Sequence, residues 1–203
     1  MKVIAFNGNL KVAEGEPDQA LPAIRAFLEA EQDASLLVLN HQTSRVLEID
    51  WTQPDELITR SLAYQAGEAP VQQRQGRGRP KLGVQSREVS LLPRHWEWLN
   101  RQQGGASAAL RRMVEAARKS PVVQLEEASL AVDRFMQTLA GDLPRYEEAL
   151  RQFYRHQYGA MFTEMADWPE DVQRHIRALV GEVQHWREAN EPDRRHEHSM
   201  RSF

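Results

Sequence analysis

Between Ala66 and about Gln85 the apolar content of the chain collapses, and that gap decides what can be built on either side of it. Gly67, Pro70, Gln72, Gln73, Gln75, Gly76, Gly78, Pro80 and Gly83 fill the stretch with residues that neither propagate a helix nor pack a strand. The chain is thereby parted into a unit over 1–66, a flexible basic linker over 67–86, and a continuation over 87–190 that reads as helical after its first residues. The last thirteen residues, 191–203, read as a polar, disordered tail. The expected class is α+β: a small N-terminal ββαββα unit, the linker, a strand plus two helices over 87–120, and an acidic helical bundle over 121–190.

The first unit follows from short patterns. Val3 to Phe6 reads as a strand, Asn7-Gly8 as the dipeptide a type I′ hairpin needs, and Leu10 to Val12 as the returning strand. Leu21, Ile24, Phe27 and Leu28 recur at helical spacing after Asp18, with Pro22 early enough to be tolerated. Ser35 to Leu39 reads as a buried strand and Arg45 to Asp50 as its half-exposed partner. Thr52 with Pro54-Asp55-Glu56 then starts a helix through Leu57, Ile58 and Leu62. This unit carries no nucleophile, no clustered acids and no glycine-rich phosphate loop, so a structural or dimerising role is expected of it.

Charge is distributed unevenly. Residues 74–119 hold eleven Arg or Lys against three acids, a net +8, whereas the whole chain is −3 and the remainder therefore −11. Such concentration in an otherwise acidic protein is the footprint of a polyanion binder. Of the 26 basic residues 22 are arginine, which favours forked recognition of phosphate, base edges or carboxylate over diffuse charge. No cysteine is present, which excludes disulfides, thiolate nucleophiles and cysteine-based zinc sites. No window has the apolar length to span a bilayer, no signal peptide precedes Val3, and the cytoplasm is the expected compartment.

Within the linker, Arg77-Gly78-Arg79-Pro80 followed by Lys81 resembles the core of an AT-hook. The glycine allows close approach to the floor of a groove, the proline holds an extended path, and each guanidinium suits the negative potential of a narrow A·T-rich minor groove. Next, Glu88-Val89-Ser90-Leu91 alternates, Leu92-Pro93 opens a helix carrying Trp96, Trp98 and Leu99, and Gly104-Gly105 ends it. Ser107 stands as the expected N-cap of a second helix with Leu110, Met113, Val114 and Ala117 on one face. This order resembles the ribbon-helix-helix DNA-binding fold, in which two chains pair their single strands into a ribbon for the major groove. The resemblance implies a homodimer. It also implies that Arg87, Val89 and Ser90 lie at or near bases while Ser107, Arg111 and Arg112 hold phosphate. Val89 and Leu91 are out of phase with Leu92, which leaves open which face of the strand would meet DNA.

Past Pro121 four helical patterns follow. Their stripes are Leu125 to Leu139, then Tyr146, Leu150 and Phe153, then Tyr158, Met161, Phe162 and Met165, and last Val172 to Trp186. The aromatic and methionine residues sit at helical spacing, which makes them core. His156, His175 and His185 are each read as standing alone in a helix, and no catalytic residue, metal ligand or cofactor is expected.

Several longer stretches are similar to a bacterial family designated only as a domain of unknown function, number 2239. These are Ala34 to Val38, Gly76 to Gly83, Arg87 to Trp96, Gly104 to Ser107, Arg134-Phe135-Met136, Ala140 to Pro144 and Trp168 to Val172. The likeness runs over about residues 1–190. It implies a bacterial cytoplasmic protein and supplies no activity. The expected function therefore rests on the residues: a non-enzymatic, homodimeric binder of double-stranded DNA, A·T-rich by preference of the arm, acting as a transcriptional regulator or nucleoid-type protein. The alternative is an adaptor whose basic centre docks an acidic protein or RNA. An enzyme with its site in the C-terminal helices has the least in its favour.

Overall fold

The computed structural model describes residues 1–31, 34–65 and 87–191. The linker and its Arg-Gly-Arg-Pro core, and all of the tail beyond Glu191, lie outside the described residues. The fold is α+β, with a three-stranded antiparallel sheet and, among the described residues, eight helices.

Strands β1 (Val3–Asn7), β2 (Leu10–Gly15) and β3 (Leu36–Asn40) are ordered β2-β1-β3, with β1 central and antiparallel to both neighbours. Val3 to Phe6 are all buried, because a central strand covered on both faces has no solvent side to alternate toward. The two-residue loop is Gly8-Asn9, with Asn7 and Leu10 paired across it. Gly8 has φ +55° and Asn9 does not have a positive φ, so the turn sits one residue later than expected and is not type I′. The register between β1 and β2 slips by one after Ala5, leaving Val12 as the extra residue of a bulge.

The sheet is the middle of three layers. On one face Val3, Ala5 and Val38 pack against α1 (Pro17–Ala30) and α2 (Asp55–Gln65), through Leu21, Ile24, Ile58 and Leu62. Arg25 fastens these two helices, donating to the Asp55 carboxylate at 3.0 Å and to the carbonyls of Trp51 and Gln53. On the other face Ile4, Phe6 and Leu39 belong to the larger core. That core is built on α5 (Pro121–Leu139) and α8 (Glu170–Asn190) and completed by α6 (Tyr146–Tyr154) and α7 (Tyr158–Glu164). Phe6 meets Phe135 edge-on at 5.6 Å between ring centroids. Pleating explains the division: successive side chains of one strand serve opposite layers.

The expected fourth strand, Arg45 to Asp50, is not formed. Asn40 N–H donates to Arg45 O, Leu47 N–H donates to Val38 O, and Leu39 and Val46 make a single bridge. The ladder stops there because Gln65 of α2 takes the backbone of Glu48, accepting from its N–H at 3.1 Å and donating to its carbonyl at 2.8 Å. Asp50 then closes a turn by accepting from the Thr52 amide and hydroxyl. Two hydrogen bonds with α2 replace the pairing that alternation alone suggests.

The four C-terminal helices form where the apolar stripes place them. Pro121 opens α5 at its first position and Pro169 is the N-cap of α8, each sparing an amide that would have no helical partner. Trp168 is buried, and its indole N–H donates to the Pro144 carbonyl at 2.7 Å, tying the start of α8 to the turn before α6. His156 is not helical; it occupies the turn between α6 and α7 with φ +59°.

Candidate functional site

The basic centre folds into a helical hairpin that packs chiefly on itself. α3 (Pro93–Asn100) and α4 (Gly105–Arg118) close over Leu99 and Ala109, which are buried, while neither residue joins the two main cores. Leu92 is the N-cap of α3 and Pro93 its first residue. Gly104, at φ +81°, is the N-cap of α4, and a Cβ there would stand 3.0 Å from the Ala108 Cβ. Glycine is therefore required by both backbone and space.

Ser107 is not the cap. It is exposed inside the first turn of α4, and no side chain caps that terminus. The reason is local: Gly104 turns the chain into the helix three residues earlier, as Gly105 N–H donates to Gln102 O at 2.9 Å. The first-turn amides beyond it therefore have no side-chain acceptor, which is the property an anion needs at a helix start.

Arg111 and Arg112 lie exposed on α4. The Arg112 guanidinium donates to the Gln103 carbonyl at 2.9 Å, holding it against the α3–α4 turn, and Arg111 makes no ion pair among the described residues. Arg87, Val89 and Ser90 lie exposed over 87–92, where the strand expected from the alternation is not formed, there being no pairing partner for it among the described residues. No hydrogen bond or ion pair among the described residues joins this segment to Arg111 or Arg112. Arg77, Gly78, Arg79, Pro80 and Lys81 lie outside the described residues. Arg94 and Lys119 are exposed and without an acidic partner among the described residues, whereas Arg101 and Arg118 face Glu97 at 3.9 Å and Glu115 at 3.3 Å. Val89, Leu92, Trp98, Met113 and Val114 are each about half exposed, so part of the apolar stripe of α4 is left uncovered among the described residues.

A family model for an "uncharacterized protein conserved in bacteria" (DUF2239) matches residues 2–180. The chain belongs to that family. The match spans the sheet, the basic hairpin and most of α8, so in this DUF2239 protein the hairpin is part of the family's own architecture. Comparison with curated proteins and with solved structures finds no match.

A second polar site was not legible in the sequence. Where β2, the turn after β3 and the first turns of α8 meet, Lys11, Glu14, His41, Asp171, Arg174 and His175 line a cleft of about 110 Å³. His41 Nε2 lies 3.0 Å from Glu14 Oε1, and Lys11 Nζ donates to Glu14 Oε2 at 2.7 Å. Asp171 accepts from the Lys11 amide at 3.0 Å and from Arg174 at 2.9 Å. His175 is 5 % exposed, with its ring between Phe135 at 4.5 Å and His41 at 5.0 Å. Its Nε2 is buried without a hydrogen-bond partner. Burial pulls the His175 imidazole down to about 4, with His41 and Lys11 pushing the same way and Glu14 opposing them. The ring is therefore neutral near pH 7.

No described helix is long and apolar enough to cross a membrane.

Proposed function

We propose that this family member is a non-enzymatic DNA-binding protein acting as a homodimer, either a transcriptional regulator or a nucleoid-type binder. The observation that carries the reading is the α3–α4 hairpin: an exposed, arginine-rich element with a glycine-led helix start that no side chain caps, and an apolar stripe left partly bare among the described residues. Phosphate would meet the first amides of α4 together with Ser107, Arg111 and Arg112. Arg77, Arg79 and Lys81, with Gly78 and Pro80 setting the path, would form a minor-groove arm. Residues 87–92, with Arg87, Val89 and Ser90, would pair with the same segment of a second chain and approach the major groove. The same pairing would cover Val89, Leu92, Met113 and Val114, whose exposure in one chain is otherwise unexplained.

An adaptor that docks an acidic protein or RNA is the second reading, favoured by Trp98, which is 52 % exposed on the arginine-rich hairpin. The experiment that separates them titrates short duplexes against the full chain and two variants, Arg77→Ala/Arg79→Ala and Arg111→Ala/Arg112→Ala. The DNA reading expects both variants to weaken duplex binding independently. An adaptor expects little effect from the α4 pair.

A further inference from the structure

The cleft between the sheet and α8 has a composition unlike the rest of the molecule. Two cations, Lys11 and Arg174, and two carboxylates, Glu14 and Asp171, converge from β2 and α8 onto one small space, beside two imidazoles. Opposite charges brought together at the seam of two layers satisfy each other only in part. Lys11 Nζ has three protons and gives one to Glu14, and Arg174 has five N–H donors and is held by Asp171 and Glu170. Each carboxylate oxygen that accepts one bond here retains a second lone pair.

His175 supplies the independent observation. A neutral imidazole 5 % exposed forgoes any hydrogen bond at Nε2, and it does so while lining the cleft. Buried polar groups normally find partners, and this orphan belongs to a side chain in the wall of a polar cleft, which makes the cleft the place to look for a further molecule.

We propose that this cleft binds a small zwitterion of amino-acid size, its carboxylate held by Lys11 and Arg174, its ammonium by Glu14 and Asp171, with His41 and His175 closing the side between them. Three features select that class. The cleft carries both signs in equal number, so a simple anion would meet Glu14 and Asp171 unfavourably, and a simple cation would meet Lys11 and Arg174. Its volume, about 110 Å³, falls below the roughly 300–1,000 Å³ of drug-sized pockets and suits a ligand of a handful of heavy atoms. The donors are not gathered as metal ligands: among the described residues no three His, Asp or Glu side chains are placed to hold one ion. Because its walls come from both β2 and α8, occupancy would clamp the sheet to the C-terminal layer. The proposal does not depend on DNA binding.

The test uses the full-length protein and histidine-ring nitrogen–proton correlation spectra. Glycine is the probe, acetate and methylammonium carry its two charges separately, and phenylalanine tests size. Glycine is expected to move the His41 and His175 ring signals saturably in the millimolar range, with acetate and methylammonium weaker by about tenfold or more and phenylalanine without effect. Lys11→Met and Arg174→Gln are each expected to weaken glycine by about tenfold or more, with circular dichroism confirming that both variants are folded. Should either variant fail to fold, Glu14→Gln replaces it, with the same expected loss. Absence of any saturable change with glycine overturns the proposal. So does acetate binding as well as glycine, which makes the cleft an anion site only, and so does phenylalanine matching glycine.

Discussion

Replacing Phe135 by alanine removes the ring on which the sheet and the C-terminal helices meet. Phe135 is fully buried, lies edge-on to Phe6 at 5.6 Å, and carries the His175 ring at 4.5 Å. Deleting a fully buried phenylalanine ring costs about 3–5 kcal/mol, the loss of transfer free energy adding to that of the cavity left behind. For a chain of this size each kcal/mol moves the midpoint by about 2–4 °C, so Phe135→Ala should lower Tm by roughly 6–20 °C. The site of the loss is the stronger test. Because Ile4, Phe6 and Leu39 sit in the same core as α5 and α8, amides of β1 and of α8 should lose hydrogen-exchange protection together. A loss below about 1 kcal/mol, or protection lost in α8 while β1 is unchanged, would refute the argument that the sheet is the shared middle layer.

Three other outcomes follow from particular contacts. His175 binds its proton less readily folded than unfolded, so the unfolded chain gains protons first as pH falls through about 6.5. Stability should therefore decline by up to roughly 3 kcal/mol between there and about pH 4. Glu14, whose carboxyl is lowered by its hydrogen bond to Lys11, adds an acid-driven loss only below its ordinary range, so His175→Phe should flatten the upper part of the curve in denaturant titrations at several pH values. Gly104→Ala places a Cβ 3.0 Å from the Ala108 Cβ at φ +81° and should cost about 1 kcal/mol or more, read as lost amide protection confined to α3 and α4. Arg25→Ala leaves the Trp51 and Gln53 carbonyls and the Asp55 carboxylate without their shared donor and should lower stability by about 1–3 kcal/mol in a thermal melt.

Periodicity carried the helices well, because a 3.6-residue stripe such as Leu125, Ala128, Val132, Phe135 and Met136 has one packing solution. It failed where side chains compete for backbone. Arg45 to Asp50 alternates as a strand should, yet Gln65, more than a dozen residues away, takes the Glu48 backbone, and nothing local announces that. Ser107 was a reasonable cap by composition, but Gly104 and its positive φ set the helix start first. The cleft was hidden for a different reason. His41 and His175 meet at 5.0 Å only because β3 and α8 are neighbours in space. α8 carries both His175 and His185, ten residues apart, and such spacing has no sequence signature for a partner contributed by a distant turn. The one available signal was polar: Glu14 and Lys11 at the sheet edge, and Asp171 and Arg174 in the first turns of α8, a grouping that becomes informative once the layers are known.

The proposed function turns on one titration. Full-length protein is measured against A·T-rich and G·C-rich duplexes at low and moderate salt, alongside Arg77→Ala/Arg79→Ala. A chain that neutralises several phosphates should lose roughly a thousandfold or more in affinity between the two salt conditions. It should also prefer the A·T-rich duplex and weaken when the two arginines are removed. No binding to either duplex at low salt, or binding indifferent to salt, would contradict the reading and leave the basic hairpin to a protein partner or RNA.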